Sequence, residues 1–362
     1  MHIFVAADHD IDFTDGWESD VVAAAWLEAA PHCAVSAMPM AAHAGAARTV
    51  WSRNSTGVGG FDGTALVQVG GGESAAATAA ADIAVALEAK MGRIVVSLPR
   101  YGQLDAGASF LAALAAACAP EPDPQDLPGE SSKINPEEYV RNAREVSTAI
   151  AATDLVITYD ESMPLLGMHG MSGTAALLGD VDPSAAQYRE KEVSGLFHAL
   201  IKILDDPHAP SASHAGMGLG LSAPSRGVLP SRAADIKDLS RHDAAGSAGG
   251  IGFALLLAGA RALPLSQAFG AQFGVHDRVM EADVVVVYQD ELDSRTFPTS
   301  TAGLIAPIAL RVGVPCIVIT RDRMMSTREL AAQGIASSYQ LEDAHELGSL
   351  AARLAKSWSP AR

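Results

Sequence analysis

The sequence predicts an α/β protein in which helices cover both faces of a parallel sheet. At the start of the chain, the apolar run HIFVAAD (2–8) is followed by a helical pattern over 18–30 and by a second strand pattern over 34–40. The last quarter resumes this alternation with the strand ADVVVVY (282–288). Continuous apolar runs of this length are typical of strands that are buried on both sides.

Both ends of the chain are expected to build one domain, from residues 1–45 and 262–362. After the strand at 282–288, the pattern predicts a helix over 301–313, a strand over 315–321, a helix over 327–334, an edge strand over 336–341 and a closing helix over 342–358. With the two N-terminal strands, these make five strands and their helices. This count and order predict a flavodoxin-like, or Rossmann-like, layered domain.

The middle of the chain, residues 46–261, is then an inserted second α/β domain. Strands are predicted over 63–71, 92–100 and 154–160, and helices over 74–90, 108–119, 139–152 and 187–205. Residues 245–263 are interpreted as a glycine-rich turn that leads into an apolar helix. Residues 206–246, which include the glycines of GMGLG (216–220), are interpreted as loop. A cleft between the two domains is the expected position of a ligand site.

Composition excludes several classes of function. The formal net charge is −17 and no basic run occurs, which argues against nucleic acid and anionic membrane as partners. The three isolated cysteines form neither a disulfide framework nor a paired metal motif. The N-terminus turns acidic too early for a signal peptide, and no apolar run approaches the length of about 18 residues that a membrane span needs. A cytoplasmic location is expected.

An acidic segment follows the first strand, and its carboxylates are Asp8, Asp10, Asp12 and Asp15. Asp8 stands at the carboxyl end of the strand, where parallel sheets bind ligands. The spacing departs from a calcium loop, because the position that needs glycine is Phe13. A phosphatase-type D-x-D-x-T pattern spans residues 10–14. The alternative for the later carboxylates is a solvated loop that caps the next helix.

Two further segments of the inserted domain are candidate sites. The segment AGSAGGIG (245–252) contains Gly246, Gly249, Gly250 and Gly252. Glycines before a helix allow backbone N–H groups to approach a phosphate, but close packing of a helix is an equally good explanation. In YDESMPLLGMHG (159–170), a strand ends at Asp160 and Glu161, of which at most one can face a metal ion because adjacent residues point apart.

Six segments, in this order, resemble the type I glycerate kinases over nearly the whole chain. The opening strand and helix resemble the start of that family, and GTALVQV resembles its next strand. GRIVVSLPRYGQLDAGASFLAALA stands where the family has GGSATNDGGAG, and DLVITYDESMPLLGMHG resembles CDVxNPLxGxxGA. AGSAGGIGFALL resembles GAGAAGGLGAAL, and ADVVVVYQDELDSRTFPTSTAG resembles ADLVITGEGxLDxQTxxGKxP.

The resemblance implies a split Rossmann-like domain with an inserted domain, and transfer of phosphate from ATP to glycerate or a related small hydroxy acid with Mg²⁺. It implies a small anionic substrate. Carried onto this chain, it assigns Asp8 and Asp293 to catalysis and Asp160 to Mg²⁺. Arg295, which stands where the family motif has glutamine, is the third candidate catalytic residue, as a clamp for an anionic group. The glycines of 245–252, with Thr296 and Asp105, are assigned to substrate or phosphate.

The chain also departs from the family pattern. The lysine of the family's DSFK is Ile11 here, the lysine of its last motif is Ser300, and the glutamate of that motif is Gln289. Loss of one such electrostatic contact typically costs roughly 10²–10³ in rate, and Arg295 is expected to restore one positive charge. The alternative is a catalytically degraded homologue that serves as a ligand-binding or regulatory protein.

Overall fold

The computed structural model describes residues 1–360 except 11, 14–15, 42, 56–62, 73, 120–133, 205–228 and 230–232. The protein is α/β, as the sequence predicts.

The strands are β1 (His2–His9), β2 (Ala34–Ala41), β3 (Thr64–Gln68), β4 (Arg93–Ser97), β5 (Asp154–Tyr159), β6 (Arg261–Pro264), β7 (Val284–Tyr288), β8 (Glu291–Leu292), β9 (Cys316–Thr320), β10 (Asp322–Arg323) and β11 (Ile335–Gln340).

The helices are α1 (Glu18–Ala29), α2 (Ala47–Ser55), α3 (Ala75–Glu88), α4 (Ala108–Cys118), α5 (Pro136–Ile150), α6 (Met171–Leu177), α7 (Pro183–Leu204), α8 (Ala233–Arg241), α9 (Ser247–Leu257), α10 (Leu265–Gln272), α11 (Val275–Glu281), α12 (Thr301–Val312), α13 (Thr327–Ala332) and α14 (Leu347–Trp358). Short 3₁₀ turns span Ala44–Ala46, Phe297–Thr299 and Ala344–Glu346. No helix in the described ranges combines the length and apolar character needed to cross a membrane.

The chain folds into two compact units. The first comprises Met1–Phe61 and Pro264–Arg362, and the second comprises Asp62–Leu263. The first unit therefore continues beyond residue 45, where the sequence analysis places the boundary. The additional element is α2, whose buried Val50 packs in the same core as strands β1 and β2.

The first unit is built on a five-stranded sheet in the order β11-β9-β7-β1-β2. Every neighbouring pair is parallel, with Ile3 of β1 between Val35 and Val284. All residues of β7 and β9 are buried, which explains the unbroken apolar runs of the sequence. Strand β11 lies at the edge, as the sequence predicts.

Alternate residues of β1 enter two different cores. Ile3 and Val5 pack with α1 and α14, whereas Phe4 and Ala6 pack with α10, α11 and α12. The connection from β1 through α1 leads toward β2, and that from β7 through α12 leads the opposite way, toward β9. Chain direction thus diverges between β1 and β7, and the carboxyl ends of such a strand pair form the usual ligand crevice of open α/β sheets.

The second unit contains a four-stranded sheet in the order β3-β4-β5-β6, with β4 parallel to β3 and to β5. Helix α9 ends at Leu257, and Gly259 takes a φ of +103° that an L side chain rarely adopts. The chain then enters β6, so the apolar helix predicted to follow the glycine-rich turn and to reach residue 263 ends earlier than expected. The loop predicted over 206–246 contains α8, while its GMGLG segment lies outside the described residues.

Candidate active site

The crevice of the first unit centres on Asp8, the penultimate residue of β1. Its carboxylate accepts a short hydrogen bond from the hydroxyl of Thr301, the first residue of α12. Both side chains are buried. The contact joins the carboxyl end of β1 to the helix that follows β7, so the predicted site residue lies at the point where the chain directions diverge.

Burial raises the pKa of Asp8 from its ordinary value of 3.8 to about 7. The hydrogen bond from Thr301 opposes this rise, because it favours the ionised carboxylate, while the charges of Asp290 and Glu18 add to it. A carboxyl group with a pKa near neutrality exchanges protons readily at physiological pH, which is the property required of a general base.

A second buried carboxylate shapes the turn after β1. Glu18, at the start of α1, binds Nδ1 of His9 at 2.9 Å and the backbone N–H of Asp10 at 2.9 Å. Burial raises the pKa of Glu18, and its hydrogen bonds to His9 and Asp10 limit the rise. The ring of Trp17 lies 4.1 Å from that of His9, measured between centroids. These contacts fix the backbone that leaves Asp8.

A polar triad lies at the carboxyl ends of β7 and β9. The hydroxyl of Tyr288 donates to Oδ1 of Asp290 at 2.7 Å, and Nη2 of Arg321 donates to Oδ2 of the same carboxylate at 2.5 Å. The backbone carbonyl of Asp290 accepts from the N–H groups of Arg321 and Asp322. The carboxylate is therefore fixed from both sides, at the rim of the crevice that contains Asp8.

Two departures from the family motif have a structural role here. Gln289 accepts from the N–H of Ala302 at 2.8 Å and donates to the carbonyl of Glu291 at 2.6 Å. A glutamate could make only the first bond when ionised. Ser300 is the N-cap of α12 and accepts from the N–H of Gly303 at 3.1 Å. The N–H groups in the first turn of α12 are thus largely bound within the protein.

The predicted residues Asp293, Arg295 and Thr296 form the turn that precedes α12. One Asp293 oxygen accepts from the backbone N–H of Arg295 at 3.2 Å, and the other lies 3.5 Å from the guanidinium Nε of that arginine. The Arg295 side chain is 64% exposed. This arginine is available to solvent, although its own carboxylate neighbour offsets part of its charge.

In the second unit, the predicted glycine turn packs tightly against the loop after β4. Ala248, Gly249 and Gly250 have positive φ values. A Cβ on Gly249 would lie 1.9 Å from the carbonyl oxygen of Gln103, which leaves no room for a side chain. The N–H of Ala248 donates to the carbonyl of Pro99. Close packing therefore explains these glycines, and binding of phosphate there remains a prediction.

Gly246 and Gly252 are packed just as closely. A Cβ on Gly246 would lie 2.5 Å from the carbonyl oxygen of Pro164, and one on Gly252 would lie 1.8 Å from that of Ala244. The N–H of Gly246 donates to the carbonyl of Met163. The glycine turn is therefore in contact with the segment that follows Asp160 and β5.

Asp105 caps α4 at the same end of the second unit. Its carboxylate accepts from the N–H groups of Gly107 and Ser109 and from the Ser109 hydroxyl. Burial raises the pKa of Asp105 and these hydrogen bonds oppose the rise. Gly107 in turn donates to the carbonyl of Gly249. The structure thus brings the loop of Asp105 to the glycine turn.

Acidic residues do not gather into a metal cluster in the described part of the chain, where no three His, Cys, Asp or Glu side chains could hold an ion together. A magnesium ion that enters with a nucleotide needs only one or two carboxylates besides the phosphates. The assignment of Asp160 to Mg²⁺ stays a prediction. Thr14, which completes the phosphatase-type pattern, and the candidate carboxylate Asp15 lie outside the described residues.

Sequence reasoning missed Thr301, Glu18 and Arg321. A lone serine, threonine or arginine near a strand end is not part of any periodic sequence pattern. The residue with which it interacts can be identified only once the order of the strands in the sheet is known. The signal for Glu18 was its position in the first turn of a helix that follows a strand. That position equally fits a solvated residue favoured by the helix dipole.

Comparison with known proteins agrees with this architecture. The sequence model of the glycerate kinase family matches residues 74–357. The fold is similar to a crystal structure assigned as glycerate kinase 2 from Salmonella typhimurium LT2, with a TM-score of 0.64 and 17% identity over 99% of this chain and 98% of that one. No curated protein sequence is a significant match. Because the family model covers well over half of the residues, this chain belongs to the glycerate kinase family.

Proposed function

We propose that the protein phosphorylates glycerate or a related small hydroxy acid at the expense of ATP. Family membership supports the reaction class. The position and the raised pKa of Asp8 are the features of this chain that support the proposal. Its buried carboxyl group has a pKa of about 7 and lies at the strand pair where open α/β sheets bind ligands.

In the proposed reaction, the substrate hydroxyl oxygen would form a bond to the γ-phosphorus of ATP while the bond from that phosphorus to ADP breaks and ADP leaves. Mg²⁺ bound with the nucleotide would supply charge neutralisation. Asp8 accepts the proton of the substrate hydroxyl, and Thr301 holds the receiving carboxylate in place through its hydrogen bond. Arg295, exposed in the turn before α12, is the proposed clamp for an anionic group. Asp293 orients that turn through the backbone N–H of Arg295.

The second candidate function is that of a ligand-binding protein without turnover. The observation that favours it is the first turn of α12, where Gln289 and Ser300 replace charged residues of the family motif and bind backbone N–H groups. Under this alternative, the fold and the crevice persist, but the charges that stabilise a moving phosphate are absent.

Isothermal titration separates the two candidates. The purified protein is titrated with Mg-ATP and then with D-glycerate in its presence, and turnover is followed by release of ADP. We expect both ligands to bind, and the Asp8→Asn variant to retain binding while losing roughly 10²–10⁴ in kcat. If ATP at millimolar concentration does not bind, the kinase proposal fails; binding of both without turnover supports the second candidate.

A further inference from the structure

Arg321, the residue that follows β9, is a cation that the family motifs do not predict. Its side chain is 43% exposed, and one of its guanidinium nitrogens donates to Asp290. A guanidinium group carries five N–H donors. Within the described part of the chain, the guanidinium donates this bond to Asp290, and its other N–H groups are available to a ligand.

The surroundings of Arg321 are strongly acidic. The negative charges of Asp290 and Glu18 raise the pKa of Asp8, and the charge of Asp10 contributes to the raised pKa of Arg321. Such a crevice repels an anionic substrate unless a cation faces it. Arg295 pairs with Asp293 in the turn before α12. Arg321 instead pairs with Asp290, the carboxylate whose charge raises the pKa of Asp8.

We propose that Arg321 binds the carboxylate of the hydroxy-acid substrate and so selects acids over neutral alcohols. The inference rests on the proposed kinase function and identifies a specificity-determining residue for it. A planar guanidinium matches a carboxylate by two parallel hydrogen bonds, which a lysine cannot reproduce.

The geometry around Arg321 holds the guanidinium ready for this role. Asp290 fixes one edge of the group, and the Tyr288 hydroxyl fixes Asp290 from the other side. The backbone N–H of Arg321 also donates to the carbonyl of Asp290 at 3.0 Å. A side chain that is restrained before binding loses less conformational entropy when the ligand arrives.

Steady-state kinetics with D-glycerate and with its neutral amide test the proposal. Assays at about pH 9 keep the proposed base Asp8 largely ionised even if loss of Arg321 strengthens the influence of Asp290 on it. In Arg321→Gln at this pH, we expect KM for D-glycerate to rise about 10- to 100-fold, as for loss of a charge-assisted pair, with kcat and KM for ATP nearly unchanged. The preference for the acid over the amide should fall by a similar factor. Arg321→Lys, which keeps the charge, should show a smaller rise and provides a second variant if Arg321→Gln does not fold.

Arg311→Gln is the matched control, because Arg311 lies in the last turn of α12, at the opposite end from Thr301. The Arg311→Gln variant should leave both KM for D-glycerate and the preference for the acid over the amide unchanged. An unchanged KM for D-glycerate and an unchanged acid-to-amide preference in the Arg321 variants would overturn the inference while leaving the kinase function standing. A wild-type protein that neither binds nor phosphorylates any small hydroxy acid would overturn both.

Discussion

At the scale of single residues, Asp8 links activity to stability. Its pKa is raised to about 7 in the folded protein, against 3.8 in an unfolded chain, so the folded state binds the proton more tightly between these pH values. The resulting stabilisation is fully present below pH 4 and is lost as the pH rises through 7. The ionised form of Asp8, which would serve as the base, is therefore the form in which the free energy of unfolding is lowest.

The Asp8→Asn variant should separate the two effects. We expect it to be about as stable as wild type at pH 3, where Asp8 is protonated in both the folded and the unfolded chain, and more stable at pH 8 by up to about 4 kcal/mol, because the buried charge is removed. Urea unfolding at both pH values measures the difference. Equal stability of the two proteins at pH 8 would show that Asp8 does not carry a buried charge there.

Thr301→Val provides the complementary change at the same contact. Removing the hydroxyl withdraws the hydrogen bond that lowers the pKa of Asp8, so this pKa should rise further. If Asp8 is the base, the pH at which kcat reaches half its maximum should move upward by about one unit, with the plateau at high pH largely retained. A profile that stays in place would exclude Asp8 as the group that controls the acid limb.

The glycine turn yields a stability prediction for the second unit. Gly249→Ala places a methyl group against the Gln103 carbonyl at a φ of +70°, so we expect a loss of about 2–4 kcal/mol of unfolding free energy. Gly195→Ala, within α7 and with no atom within 4 Å of the new Cβ, should instead stabilise by about 0.5–1 kcal/mol. Urea unfolding of both variants provides the comparison, and a neutral Gly249→Ala would mean that the turn is not packed as described.

At the scale of elements, the sequence predicts the strands and helices whose burial produces a long apolar run or a clear apolar periodicity. Strands such as β7 and β9 are buried along their whole length, so their apolar runs were sufficient to place them. Helix α2 and strand β6 were missed because each is short and carries little apolar signal: α2 buries only Ala47 and Val50, and β6 has four partly buried residues. Of the candidate site, the sequence identified Asp8 by its strand-end position but could not show that Thr301 approaches it from α12.

One ion cluster joins three neighbouring strands of the second unit and can be tested directly. Asp154, the first residue of β5, accepts two hydrogen bonds from Arg261 of β6 and one from Arg93 of β4. Burial raises the pKa of Asp154, but these arginines outweigh that effect and lower it overall. The stabilisation is therefore present above the pKa of the unfolded carboxyl and is lost as the pH falls through the lower, folded pKa.

Asp154→Asn should reduce the free energy of unfolding by roughly 1–3 kcal/mol at pH 7, because the charge-assisted bonds are lost, and by progressively less toward pH 3. Asp20→Asn is the control, since Asp20 forms an exposed ion pair with Arg53 and exposed pairs contribute about 1 kcal/mol or less. Urea titrations at pH 3, 5 and 7 measure both. A penalty for Asp154→Asn that does not depend on pH would assign it to packing rather than charge.

At the scale of the whole molecule, the net charge of −17 opposes the approach of any anionic substrate. This long-range repulsion is screened as the Debye length falls from about 30 Å at 0.01 M salt to about 8 Å at 0.15 M, whereas partly buried contacts are screened much less. For the proposed hydroxy-acid kinase, kcat/KM for D-glycerate should therefore rise severalfold over this range of salt, with kcat unchanged. The neutral amide of glycerate should show no such rise, which controls for general effects of salt on the protein. A fall in kcat/KM for the acid alone would mean that a local cation, rather than the net charge, governs its approach.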